Sequence, residues 1–158
     1  MMKKILILIG FMNFFLGCKT PVSIPQSQDS NTNSIFKIAF GSCSSQNESQ
    51  PVLEHVVISK PDLFIYLGDN IYGDSPVMDT LRAKYIRQNS NLDYQLLKAR
   101  TPIIGVWDDH DYGINDGDKR FAQKKESRDL MFDFLGMPAD ALERRREGGY
   151  SAHTYGTG

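Results

Sequence analysis

Past a polar stretch that ends near residue 34, three short apolar runs each break off into a polar turn: SIFKIAFGSC at 34 to 43, DLFIYLGDNIYGD at 62 to 74, and PIIGVWDDHDYGIND at 102 to 116. Runs of about five to seven apolar and β-branched residues without polar alternation predict strands covered on both faces, the usual state in a parallel α/β sheet. A short helix is expected around Pro51 to Ser59, and further helices between Pro76 and Arg100. The resulting β-α-β-α-β order predicts an α/β fold, a parallel sheet flanked by helices and joined by right-handed crossovers.

Several element ends carry their own signals. Ser75 is placed to cap the helix that follows it, Pro76 fits the first turn, and Met78, Leu81 and Tyr85 then share one apolar face. Asp118 is the expected cap of a later helix running to about Leu135, with Leu130, Met131, Phe134 and Leu135 on one side and Gly136 closing it. Arg144 to Arg146 read as a solvated helix face, and YSAHTYGTG at the end as the start of another strand.

The amino terminus follows a different pattern. Met1 to Lys4 form a short basic region, Ile5 to Leu16 an apolar stretch, and Gly17 a small residue directly before Cys18. This is signal-peptide anatomy. A helix of Ile5 to Gly17 would reach only about 20 Å at 1.5 Å per residue, short of the roughly 30 Å hydrocarbon core of a membrane. The Leu16-Gly17-Cys18 ending resembles a bacterial lipoprotein signal, which implies cleavage before Cys18 and lipid attachment to it. Residues 18 to 34 lack apolar periodicity, are rich in Ser, Asn, Gln and Pro, and read as a tether. The expected domains are therefore a signal peptide at 1 to 17, a lipid-anchored tether at 18 to 34 and a globular part at 35 to 158.

At 158 residues and 41% apolar content the chain can form one modest domain with a core. Its formal net charge of -1 provides no general field for nucleic acid or an anionic surface, so a phosphate would have to be held locally. No nucleic-acid-binding feature and no protein partner is expected. With two cysteines in all, lipidation of Cys18 leaves Cys43 without an intrachain partner. Cys43 then reads either as a small buried apolar residue or, at the end of a Gly-Ser-Cys turn, as a thiolate ligand. A redox role lacks the second thiol it would need.

Parallel sheets bind ligands at the carboxyl ends of their strands. Just past those ends stand Cys43, then Asp69 and Tyr72, then Asp109 and His110, all able to donate an electron pair to a cation. Strands about 4.8 Å apart can bring such side chains around metals spaced roughly 3.5 to 4 Å. Asp108, Asp109 and Asp111 crowd around His110, and like charges so close need a cation or hydrogen bonds to offset them. Phenolate and thiolate suit a ferric-type ion, whereas carboxylate and amide oxygens suit calcium, magnesium or manganese. A calcium helix-loop-helix motif starting at Asp111 fails, since Asp116 and Ala122 stand where Gly and Glu are required. The Gly41 turn lacks the Gly-Lys-Ser/Thr of a phosphate-cradling loop. His55 and His153 have no neighbouring ligand types and are assigned no chemistry.

Taken in order, FGSC, PDLFIYLGDNIYGD, ARTPIIGVWDDHDYGIND, SRDLMFDFLGMP and ERRREGGYSAHTYG resemble the alkaline phosphatase D (PhoD-like) metallophosphoesterases, over about residues 35 to 158. More distantly, the Gly-Asp-x-x-Tyr turn is similar to that of purple acid phosphatases, where the aspartate bridges two metals and the tyrosine binds the ferric one. The resemblance implies Cys43 as first ligand, Asp69 as the bridge, Tyr72 completing the iron side, Asp109 on the second metal and His110 as the substrate-facing catalytic histidine. Asn115 and Asp108 would assist at or around the second ion. It also implies two or more ions, Fe3+ plus Ca2+, with zinc, manganese and magnesium as alternatives. Family members continue through further strands to histidine- and aspartate-bearing motifs, so residues 35 to 158 are expected to be the amino-terminal part of the domain.

The expected function is that of an exported, membrane-anchored metallophosphoesterase, an alkaline phosphatase-type hydrolase acting on phosphomonoesters or phosphodiesters through metal-activated water. The alternative is a truncated, non-catalytic surface lipoprotein that keeps the fold.

Overall fold

The computed structural model describes residues 37 to 156, which belong to a compact unit spanning Thr32–Gly158. The expected signal peptide, the tether and Cys18 lie outside the described residues. Among those described, no helix is long and apolar enough to cross a membrane.

Three strands form as their apolar runs predict: β1 at Ile38–Gly41, β2 at Leu63–Leu67 and β3 at Ile103–Val106. They pair in parallel in the order β1-β2-β3, with Phe40 opposite Ile65 and Ile65 opposite Ile104. Helix α1 (Pro51–Ser59) links β1 to β2, while α2 (Met78–Asn89) and α3 (Leu92–Lys98) link β2 to β3. A single-turn helix α4 (Asp109–Tyr112) follows β3, then α5 (Lys124–Leu135). The sheet is thus α/β and parallel, flanked by helices, as expected.

Strand side chains alternate between faces, and here the alternation divides core from surface. Ala39, Phe64, Tyr66 and Ile103 join one cluster with Leu53 of α1, Leu81 and Tyr85 of α2, Tyr94 and Leu97 of α3, and Leu130, Met131, Phe134 and Leu135 of α5. Full burial of each such aliphatic side chain contributes about 1.5 to 3 kcal/mol. Aromatic rings knit the layers: Tyr66 of β2 meets Tyr94 of α3 edge-on at 6.0 Å, and Tyr94 stacks on Phe134 of α5 at 4.8 Å.

The opposite face departs from expectation. Ile38, Phe40, Leu67 and Val106 are 50%, 68%, 48% and 40% exposed, with Ile65 and Ile104 half-buried between them. The strands lack polar alternation because both faces are apolar, yet on this second face only Leu63 is buried among the described residues.

Other expectations are corrected locally. Ser75 does not cap α2, because its hydroxyl accepts from Val77 N–H two residues on and the helix starts at Met78. Asp118 does not cap α5. Its carboxylate takes the Arg120 backbone and guanidinium instead, and the helix begins at Lys124. Gly136 closes α5 in the left-handed region at φ 79, as expected. Residues 150 to 155 form no strand. Arg144 is no free solvated charge: it donates to Asp133 at 2.7 Å and to the Met137 and Pro138 carbonyls, while Arg145 and Arg146 are exposed.

Candidate metal centre

The carboxyl ends of the three strands bring together the polar turns that the sequence marks. Cys43 N–H donates to the Gly68 carbonyl at 3.4 Å and Ser44 N–H to that of Asp69 at 2.8 Å, so the turns after β1 and β2 lie side by side. Gly68 lets the third turn close in. Its φ is 103, and a Cβ there would stand 2.7 Å from Asp108 Cβ. No other residue type permits that approach without displacement.

Donor atoms of Asp69, Asp109 and His110 all lie within 4.8 Å of one another. Cys43 Sγ donates to Asp69 Oδ2 at 3.6 Å, and the Tyr72 ring lies 4.4 Å from the imidazole of His110. Five of the expected side chains therefore gather at one rim. Cys43 is exposed, which removes the reading of it as a buried apolar residue. Cys43, Asp69 and Asp74 all hold left-handed backbone, at φ 58, 48 and 44. Such geometry costs a residue with a side chain about 1 to 2 kcal/mol, less for Asp than for most.

The remaining expected residues have other partners. Asp108 accepts from Asp109 N–H at 3.0 Å and caps α4. Asn115 is exposed and donates to Asp116 at 2.8 Å, and Asp116 N–H in turn donates to Asp109 Oδ2. Asp111, grouped with its acidic neighbours in the sequence, is fully buried and separate in role. Its carboxylate accepts from the backbone N–H groups of Asn70, Ile71 and Asp108 and from the hydroxyl of Tyr85. Hydrogen bonds, not a cation, meet this one of the three acids.

Electrostatics follow from burial and crowding. Burial raises the Asp69 carboxyl, with the charges of Asp109 and Asp108 adding to it against the pull of His110. Tyr72 is pushed up to about 12 by burial, the Cys43 thiol and the nearby carboxylates. Burial alone would lower His110, but the bond and charge of Asp74, then Asp109 and Asp69, outweigh it and hold the imidazole above its ordinary value. Asp74, whose Oδ1 is 2.7 Å from His110 Nδ1, was not singled out in the sequence. Its signal is thin, one acid at the end of the GDNIYGD turn.

The donor set suits a cation. Asp69 Oδ1 is buried without a hydrogen-bond partner among the described residues, an arrangement that is costly unless something positive meets it. A thiol, a phenol, a carboxylate and an imidazole gather near it, a mixed set able to hold a soft or ferric ion or a harder one.

No family model and no curated protein matches the chain. Among solved structures, that of PhoD is similar at 18% sequence identity with a TM-score of 0.56. The likeness covers 78% of this chain and 30% of PhoD, so the chain spans under a third of that protein's length. At this identity the similarity concerns the fold: the parallel sheet and helices match part of a PhoD-like domain.

Proposed function

We propose that the chain forms part of a metal-dependent phosphoesterase of the PhoD-like type. The observation that carries this reading is the meeting of Asp69, Asp109 and His110 within 4.8 Å at the sheet's carboxyl end, beside Cys43. Asp69, one of whose carboxylate oxygens has no hydrogen-bond partner among the described residues, would be the carboxylate shared by two ions. Cys43 and Tyr72 would hold a ferric ion on one flank, and Asp109, with Asn115 and Asp108 nearby, a harder ion such as calcium on the other. Bound ions would supply Lewis acidity, lowering the pKa of water from about 15.7 towards 7 and neutralising phosphate charge.

The chain's own contribution centres on His110. Asp74 accepts from Nδ1–H and favours the protonated ring, whose Nε2–H would give a hydrogen bond or proton to the departing oxygen of a phosphomonoester or phosphodiester. Export and lipid attachment at Cys18 belong to the same proposal and rest on the residue pattern Leu16-Gly17-Cys18. Mass spectrometry of the membrane fraction, reading an acyl-modified Cys18 peptide, tests that part.

The test of the chemistry is His110→Ala, assayed on a simple aryl phosphomonoester and diester with metal content measured in parallel. Turnover should fall by about 10² to 10⁴ while metal content stays near that of the parent. Metal lost together with turnover would make His110 a ligand instead. The alternative reading is a non-catalytic anchored protein that keeps the fold. Weak or absent metal uptake by the unaltered chain, with no turnover of either ester, would decide for it.

A further inference from the structure

Tyr72 is held by its backbone more tightly than its turn requires. Gln46, three residues beyond Cys43 on the loop after β1, is only 6% exposed. Its Oε1 accepts from Tyr72 N–H at 2.9 Å, and its Nε2 donates to the Tyr72 carbonyl at 3.2 Å. One side-chain amide thus pairs with both main-chain groups of a single residue, as a neighbouring strand would. From the other side, Lys84 of α2 donates to the same carbonyl at 3.0 Å and to that of Gly73 at 2.6 Å.

Burying an amide is unfavourable unless both its donor and its acceptor are matched, and here each is matched by Tyr72 alone among the described hydrogen bonds. Because Gln46 shares its loop with Cys43, the pairing ties that loop to the backbone that carries the phenol. The same loop also stands against Asp69, through the Cys43 thiol and through the Ser44 N–H that reaches the Asp69 carbonyl.

We propose that Gln46 is a positioning residue for the metal centre, a crossbar that fixes the Tyr72 phenol relative to Cys43 and Asp69 so that the three face one ion, with Lys84 as the second hold. The assignment rests on the metal-binding reading above. Glutamine is the fitting residue: glutamate would keep the acceptor for Tyr72 N–H but set an oxygen against the Tyr72 carbonyl and a second negative charge beside the phenol.

The experiment loads metal-free protein with ferric iron, reads the phenolate-to-iron absorption band, and measures affinity by competition with a chelator. Tyr72→Phe identifies the band. Gln46→Leu should weaken iron binding by about 10- to 100-fold and shift or broaden the band. Gln46→Glu, which preserves volume but exchanges one of the two bonds for a repulsion, should also weaken iron binding, by more than its change in metal-free melting accounts for. Parental affinity and band in both variants overturn the role of Gln46 while leaving the metal centre intact. An unaltered chain that takes up no iron overturns the metal centre itself, and this assignment with it.

Discussion

Asp74 Oδ1 sits 2.7 Å from His110 Nδ1, joining residues 36 positions apart in the chain. The contact makes Nδ1–H the donor and holds the imidazole charge-prone, against a burial that favours the neutral ring. In metal-free Asp74→Asn the His110 ring, followed by NMR, is expected to titrate at lower pH than in the parent. Turnover should fall by roughly 10- to 100-fold. An unchanged titration would show that Asp109 and Asp69, not Asp74, set the charge of His110.

Asp111 allows a test of the scaffold under the site. Burial raises its carboxyl to about 6, against the pull of the donors from Asp108, Asn70 and Tyr85. An unfolded carboxyl titrates near 3.9, so the fold favours the protonated form. The stability it contributes is fully present below about pH 4 and lost as pH rises through 6. Asp111→Asn points an amide N–H at groups that themselves donate, and should cost about 1 to 3 kcal/mol in the metal-free protein at neutral pH. Denaturant melts should show the gap between parent and variant widening from pH 7 to pH 4. A narrowing gap would mean that the donors outweigh burial.

Gly68 governs how closely two turns approach. With φ at 103 and Asp108 Cβ 2.7 Å from where a Cβ would stand, Gly68→Ala must push the Asp69 and Asp109 turns apart. The expected cost is about 1 to 3 kcal/mol of stability, together with weakened cation binding read by calorimetry. Intact binding after that substitution would separate Asp69 from Asp109 functionally.

The outward sheet face yields a prediction of opposite sign. Phe40 is 68% exposed, so Phe40→Thr should change stability by no more than about 0.5 kcal/mol and reduce binding of a hydrophobic fluorescent dye. A loss of about 3 to 5 kcal/mol, as for a buried Phe, would reveal a cover over this face in solution.

Much of the fold was legible because its signals are local. Unbroken apolar runs mark all three strands, Pro51 opens α1 as expected, and Leu130, Met131, Phe134 and Leu135 bury together before Gly136 ends α5. Helix starts were harder where a polar side chain has a nearer partner, as Ser75 has Val77 and Asp118 has Arg120. Asn91 caps α3 by accepting from Asp93 and Tyr94, a boundary left unplaced among the helices expected between Pro76 and Arg100. Within the site, the gathering of Cys43, Asp69, Tyr72, Asp109 and His110 followed from their places after strand ends. Asp74 and Gln46 escaped notice because each acts across the fold on one distant partner. Asp111 looked like its acidic neighbours, since only tertiary structure shows which carboxylates are supplied with donors.

The left-handed backbone at Cys43, Asp69 and Asp74 sets ease of folding against chemistry. Glycine at any of the three would relax the chain by about 1 kcal/mol while deleting a thiol, the carboxylate proposed to be shared by two ions, or the anchor of an imidazole. Libraries screened for heat resistance alone should therefore enrich glycine at these positions, and their hardiest survivors should be inert towards cations.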